Sequence, residues 1–165
     1  AEGEATALAR RFRGAVTTLA GPEATRGRVQ AAAAGCDLLH FATHAVFRPE
    51  SPEFSYLELA DGRLSARDVL RYPFGRARLA ILSACDSGRG DFARAGEMFG
   101  LPRAFLQAGA ASVLATLWPI EDHAAIGSFM DALYASGFAT HEAQRQAIAA
   151  GVHPSLWAAW VQIGG

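Results

Sequence analysis

Lysine is absent: all 15 basic residues are arginine, and against 16 acidic residues they leave a formal net charge of -1. A balance so near zero excludes a general nucleic-acid surface and a polybasic membrane anchor. With the abundant alanine and glycine, the missing lysine reads as a composition-wide bias rather than a binding device. The arginines at 10, 11 and 13 and the looser group from Arg63 to Arg78 read as solvated faces. Cysteine is scarce as well. Two cysteines make a disulfide framework implausible and suit a reducing, cytoplasmic setting. No stretch approaches the roughly 18 uninterrupted apolar residues of a membrane-crossing helix, and Ala1-Glu-Gly-Glu4 lacks the basic and apolar regions of a signal peptide. Internal repeats, low-complexity tracts and linkers are missing too. What is there is ordinary for a folded domain: 165 residues, 51% hydrophobic and 19% charged, enough for one domain with a sizeable core. Because it starts on Ala1 rather than Met, it is expected to be excised from a longer chain.

Apolar periodicity alternates between helix and strand. Residues 4 to 13 show helical spacing, Ala15 to Leu19 read as a strand, and Pro22 opens a helix that runs to Ala34 and stops at Gly35. Asp37 to His44 form the next strand, followed by a polar, proline-bearing loop from Ala45 to Pro52. Asp61-Gly62, flanked by Phe54 to Leu59 and Arg63-Leu64, is a hairpin signal expected at the edge of the sheet. Ser65 caps a short helix through Leu70, and Pro73-Phe-Gly75 turns into the strand at Leu79 to Leu82. Pro102 fits the first turn of a helix running to about Gln107, Ala111 to Leu117 is a strand, Asp122 to Tyr134 and His141 to Ala150 are helices, and Trp157 to Ile163 is a last strand. This alternation predicts an α/β fold in three layers, with a mostly parallel sheet covered on both faces and an edge hairpin.

The chemistry centres on Arg78-Leu-Ala-Ile-Leu-Ser-Ala-Cys-Asp-Ser-Gly-Arg-Gly90. Its continuous apolar run suits a strand buried on both faces, and Gly88 and Gly90 allow a sharp turn beyond it. Cys85 therefore comes at a strand's carboxyl end, where open α/β sheets bind ligands. Taken alone, such a cysteine more often serves as a small buried hydrophobe. A second residue changes the balance. His44 ends its own strand 41 positions earlier, and adjacent parallel strands would bring the two together. A histidine beside a cysteine can hold a thiolate-imidazolium pair and later protonate a leaving amine, as covalent hydrolysis of a peptide bond requires. Backbone amides at Cys85 and at Ala45, after His44, could supply an oxyanion hole. The glycine loop also admits a rival reading, a nucleotide- or phosphate-binding α/β domain, although the lysine and spacing of a P-loop are missing.

The motifs His40-Phe-Ala-Thr-His44, Leu82-Ser-Ala-Cys-Asp-Ser-Gly88, Gly96-Glu97, Arg103-Ala-Phe-Leu-Gln-Ala-Gly-Ala110, Ser112-Val-Leu-Ala-Thr-Leu-Trp-Pro119 and Trp157-Ala-Ala-Trp160 together resemble the CHAT domain. This is a caspase-like module related to separases, and the resemblance spans Thr6 to Gly165. It implies a caspase-like α/β/α sandwich and a cysteine peptidase acting on protein or peptide substrates. The family dyad maps onto His44 and Cys85, and the resemblance implies no metal or organic cofactor. It also implies an upstream helical-repeat module that senses a trigger. Two positions depart from the family pattern. Ala45 stands where glycine is usual and adds a Cβ expected to meet the substrate backbone, which keeps a catalytically impaired interaction module as the second reading. Pro102 replaces a plain helix former and is expected to shift only a helix start.

Other residues carry two readings each. By analogy with separases, Asp122 would receive a basic substrate side chain, while as an Asp at a helix start it is an N-cap. Asp86 and Glu97 either shape the substrate pocket or bond loop amides. His40 reads as a hydrogen-bonded core residue rather than a metal ligand, because no zinc-site spacing accompanies it. Cys36 sits at a strand's entrance, at the opposite end from Cys85, and reads as inert. Trp118, Trp157 and Trp160 read as packing residues.

Overall fold

The computed structural model describes residue 12 and residues 16–48, 50–83, 100–120 and 123–165, with only the backbone for His123. Six helices and seven strands follow in order: α1 (Arg26–Ala33), β1 (Leu38–Ala42), β2 (Ala45–Val46), β3 (Tyr56–Leu59), β4 (Gly62–Ser65), α2 (Ala66–Val69), β5 (Leu79–Ser83), α3 (Gly100–Gln107), β6 (Ser112–Thr116), α4 (His123–Ala135), α5 (Thr140–Ala149), α6 (Pro154–Trp157) and β7 (Trp160–Gly164). The expected α/β architecture is present. β1, β5 and β6 are parallel neighbours, and β7 closes the order β1-β5-β6-β7 antiparallel to β6.

The period-two alternation of these strands divides their side chains between two cores. Leu39 and Phe41 of β1, Ala80 and Leu82 of β5, and Val113 and Ala115 of β6 point to one face, with Leu101, Ala104 and Phe105 of α3. Leu79, Ile81 and Leu114 point to the other, with Phe129, Met130 and Leu133 of α4 and Ala143 of α5. Trp160 of β7 stacks on Phe129 with ring centroids 5.1 Å apart. Phe12, from the segment before the first described stretch, joins this second layer through Tyr134 and Phe138. Two covered faces explain why the strands read as continuous apolar runs.

The hairpin is also present, and its turn glycine, Gly62, takes a φ of +126° that side chains rarely adopt. It does not lie on an edge of the central sheet, however. Residues 45 and 46, expected in a loop, form β2 and pair antiparallel with β3, so β2-β3-β4 make a separate small sheet. Leu57 and Leu64 carry its inner face into the first core. Its tip is tied to the start of α1, where Arg26 N–H donates to Asp61 Oδ1 at 2.9 Å and Ala60 N–H to the Ala24 carbonyl at 2.9 Å.

Ser65 caps α2 as expected. Its Oγ accepts from Asp68 N–H and donates to Asp68 Oδ2 at 2.6 Å, while its own N–H donates to the same carboxylate. The Ser65 hydroxyl bond holds the Asp68 carboxyl below the usual carboxylate range. That stabilisation belongs to the ionised form and is lost as pH falls through the lowered folded value.

Two local expectations need correction. Val16 to Leu19 form no strand; the β-branched run has the propensity but no ladder partner among the described residues. Trp157 ends α6 instead of opening the last strand, because His153 and Pro154 start a helical turn there and Trp157 Nε1–H donates to the Val152 carbonyl. Pro102 falls within the first described turn of α3, where it was expected, so its missing N–H costs nothing. The helix predicted over residues 4 to 13 lies outside the described residues, apart from Phe12.

Candidate active site

The site is built where the central sheet hands the chain to the small one. β1 and β5 run side by side in parallel, with Leu38 beside Leu79 and Ala42 beside Ser83. Neighbouring strands are about 4.8 Å apart, so chain leaving either strand at this level starts from nearly the same place. His44 follows Ala42 by two residues, and in the sequence Cys85 follows Ser83 by the same two. Cys85 itself lies outside the described residues, as do Asp86, the Gly88 to Gly90 loop, Glu97 and Asp122.

His44 is held by its backbone. Thr43 Oγ1 donates to the Glu58 carbonyl at 2.6 Å, and Glu58 N–H donates to the His44 carbonyl at 2.8 Å. These two bonds clamp the crossing from β1 to β2 onto β3 and leave the His44 side chain exposed. Sequence reasoning did not find Glu58 or Thr43 as parts of this arrangement. The hairpin was legible, but the strand that brings His44 against it was read as loop.

Ala45 departs from its expected role. The residue is 1% exposed and belongs to the first core, so its methyl packs inward rather than meeting substrate. Its backbone does face outward from the ladder. The bond from Glu58 N–H to the His44 carbonyl makes Ala45 and Leu57 a non-hydrogen-bonded antiparallel pair. Ala45 N–H is therefore directed away from β3, toward the side of β2 that pairs with no strand among the described residues. Ala45→Gly is expected to lower stability by about 1 kcal/mol through the lost methyl and the freer backbone, without speeding any reaction at Cys85. Chemical denaturation alongside thiol alkylation checks both halves.

Around this point the small sheet is strongly charged. Arg63 lies with its guanidinium carbon 4.6 Å from the centroid of the Tyr56 ring, and Arg48 lies 5.9 Å from the same ring. Contacts of this kind hold cations near an aromatic face. Glu58 and Arg63 are register partners on β3 and β4.

The remaining candidates sit apart. His40 Nδ1 is hydrogen-bonded to the Tyr134 hydroxyl at 2.6 Å, on the α4 side of the sheet, as a core histidine would be. Cys36 precedes β1 at its amino end, with Sγ 3.1 Å from the Ala32 carbonyl, far along the strand from His44. Trp118 donates to the Ser155 carbonyl, and Trp157 and Trp160 pack in the second layer. His153 caps α6, and exposed His141 lies 3.7 Å from Glu142. Among the described residues, no helix is long and apolar enough to cross a membrane.

A family model, that of the CHAT domain, matches residues 1–165, the whole chain. No curated protein matches it.

Proposed function

From the chain's membership of the CHAT domain family, a caspase-like group, we propose that it is a cysteine endopeptidase working through His44 and Cys85. The observation that carries this reading is the parallel pairing of β1 with β5, which ends level at Ala42 and Ser83 with each proposed catalytic residue two positions further on. His44 draws the thiol proton and holds a thiolate-imidazolium pair. The Cys85 sulfur then forms a bond to the scissile carbonyl carbon. The resulting oxyanion is steadied by the amides of Ala45 and Cys85. As the tetrahedral species collapses, the C–N bond breaks and the imidazolium gives its proton to the leaving amine. Water deprotonated by His44 next attacks the thioester, releasing the carboxylate and restoring the thiol.

In this proposal Asp122 receives a basic side chain before the cut, with Asp86 and Glu97 lining the pocket, and no metal or organic cofactor takes part. The domain works in a reducing, cytoplasmic setting, as one part of a longer chain whose upstream helical repeats govern it. The burial of the Ala45 methyl favours the catalytic reading over the impaired interaction module, since the departure from glycine is absorbed by the core.

A peptide library with every side chain before the cut, read by mass spectrometry, tests the assignment. Wild type is expected to cleave after Arg or Lys, and Cys85→Ala to cleave nothing. Asp122→Asn should lose the basic substrates selectively; an equal loss across all side chains would remove Asp122 from the pocket.

A further inference from the structure

The antiparallel ladder of the small sheet lines up three side chains that the proposed mechanism does not connect. Arg63 on β4 is the register partner of Glu58 on β3. On the other side of β3, Glu58 N–H donates to the carbonyl of His44 at 2.8 Å, which puts His44 opposite Glu58 one step before β2 begins. Alternation fixes the faces. Ala45, Leu57 and Leu64 are buried on the inner side, while His44, Glu58 and Arg63 are all exposed. A row therefore crosses the outer face of the sheet: imidazole, carboxylate, guanidinium. Directly opposed residues on antiparallel strands have Cβ atoms about 5 Å apart, a gap that a glutamate side chain spans.

We infer that Glu58 is the positioning residue for His44, its carboxylate accepting a hydrogen bond from the ring N–H when the imidazolium forms. The inference rests on the proposed role of His44. In the resting chain the ring and carboxylate are neighbours rather than bonded partners, and catalytic hydrogen bonds of this kind tighten as the charged form develops. One feature prepares the carboxylate for the task. Its backbone is bonded to both Thr43 and His44, so carboxylate and ring are hung from one fixed point. Arg63, held over the Tyr56 ring, follows Glu58 in the row as its register partner on the far side from His44. The charged residues of the small sheet near this row are Glu58, opposite His44, its register partner Arg63, and Arg48 just after β2, the two guanidinium groups lying by the Tyr56 ring. From the segment after β5, Cys85 and Asp86 follow within three residues of Ser83 in the sequence.

Long-range proton–nitrogen NMR of the protonated His44 ring in the 165-residue chain, recorded in mildly acidic buffer and compared across Glu58→Gln, Glu58→Asp and Arg63→Ala, tests this. A ring N–H held by the Glu58 carboxylate should give a downfield, slowly exchanging proton signal in wild type. Glu58→Gln should lose that signal, Glu58→Asp should restore part of it, and Arg63→Ala should keep it. The melting temperature should stay put in Glu58→Gln, because the backbone bonds remain. A His44 ring N–H signal in Glu58→Gln that superimposes on wild type would overturn the inference. Because the ring is read directly, this result does not depend on peptidase activity. A Glu58-dependent ring signal in a chain that cleaves no peptide would count against the proposed function while leaving the Glu58 to His44 coupling in place.

Discussion

Replacing Phe105 with alanine is expected to cost about 3–5 kcal/mol, a large share of the roughly 5–15 kcal/mol that holds a domain of this kind together. Phe105 is completely buried on α3. It stacks on Phe74 with centroids 4.9 Å apart and tilts against Phe41 of β1 at 5.3 Å. The space around it has little freedom to collapse. One turn further along, Gly109, at a φ of +109°, presses so close to Gly75 that a Cβ there would come within 2.8 Å of the Gly75 Cα. The backbones on both sides of the phenylalanine are thus fixed against each other, and deletion of the ring leaves a cavity instead of a repacked core. Phe41 is three residues before His44. The same substitution should therefore loosen the end of β1 that leads to His44. Urea denaturation measures the loss; a cost below about 1 kcal/mol would mean that Phe105 does not carry the core as described.

Peptide cleavage by His44→Ala is expected to fall by about 10²–10⁴-fold in kcat/KM, with the fold intact. The imidazole is exposed, and the two bonds that fix its backbone come from the Thr43 hydroxyl and the Glu58 amide. Alanine keeps the second bond and leaves the first untouched, so stability should change by no more than about 0.5 kcal/mol. The contrast with Phe105→Ala is the useful part. One substitution removes stability from a buried ring, and the other removes chemistry from a solvent-facing one. A His44→Ala chain that cleaves as fast as wild type would exclude the histidine from proton transfer.

The order in which these features could be read follows from where the information is stored. Leu79 to Leu82 and Val113 to Ala115 announce buried strands through composition alone, because both faces of the sheet are covered. Asp61-Gly62 and the Ser65 cap are local devices, each complete within a few residues, and both were legible. β2 was not, since two residues carry no periodicity and only β3 makes them a strand. Val16 to Leu19 fail in the opposite direction: their propensity is real, but among the described residues no strand pairs with them. The inward methyl of Ala45 was hidden for the same reason as β2, because a residue's facing is decided by its ladder partner. His44 could be singled out by type and spacing. Glu58 could not, since its relation to His44 exists only across the antiparallel pair. Cys85, Asp86, Glu97 and Asp122 rest on the sequence reading and the family match, being outside the described residues.

The measurement that bears most directly on the central claim is the pH dependence of Cys85 alkylation by iodoacetamide, followed by mass spectrometry in wild type and His44→Ala. If the level ends of β1 and β5 bring the two residues into contact, the wild-type thiol should titrate well below the value of about 8.5 typical of a free cysteine, and His44→Ala should return it there. Coincident curves for the two proteins would contradict the pairing of His44 with Cys85.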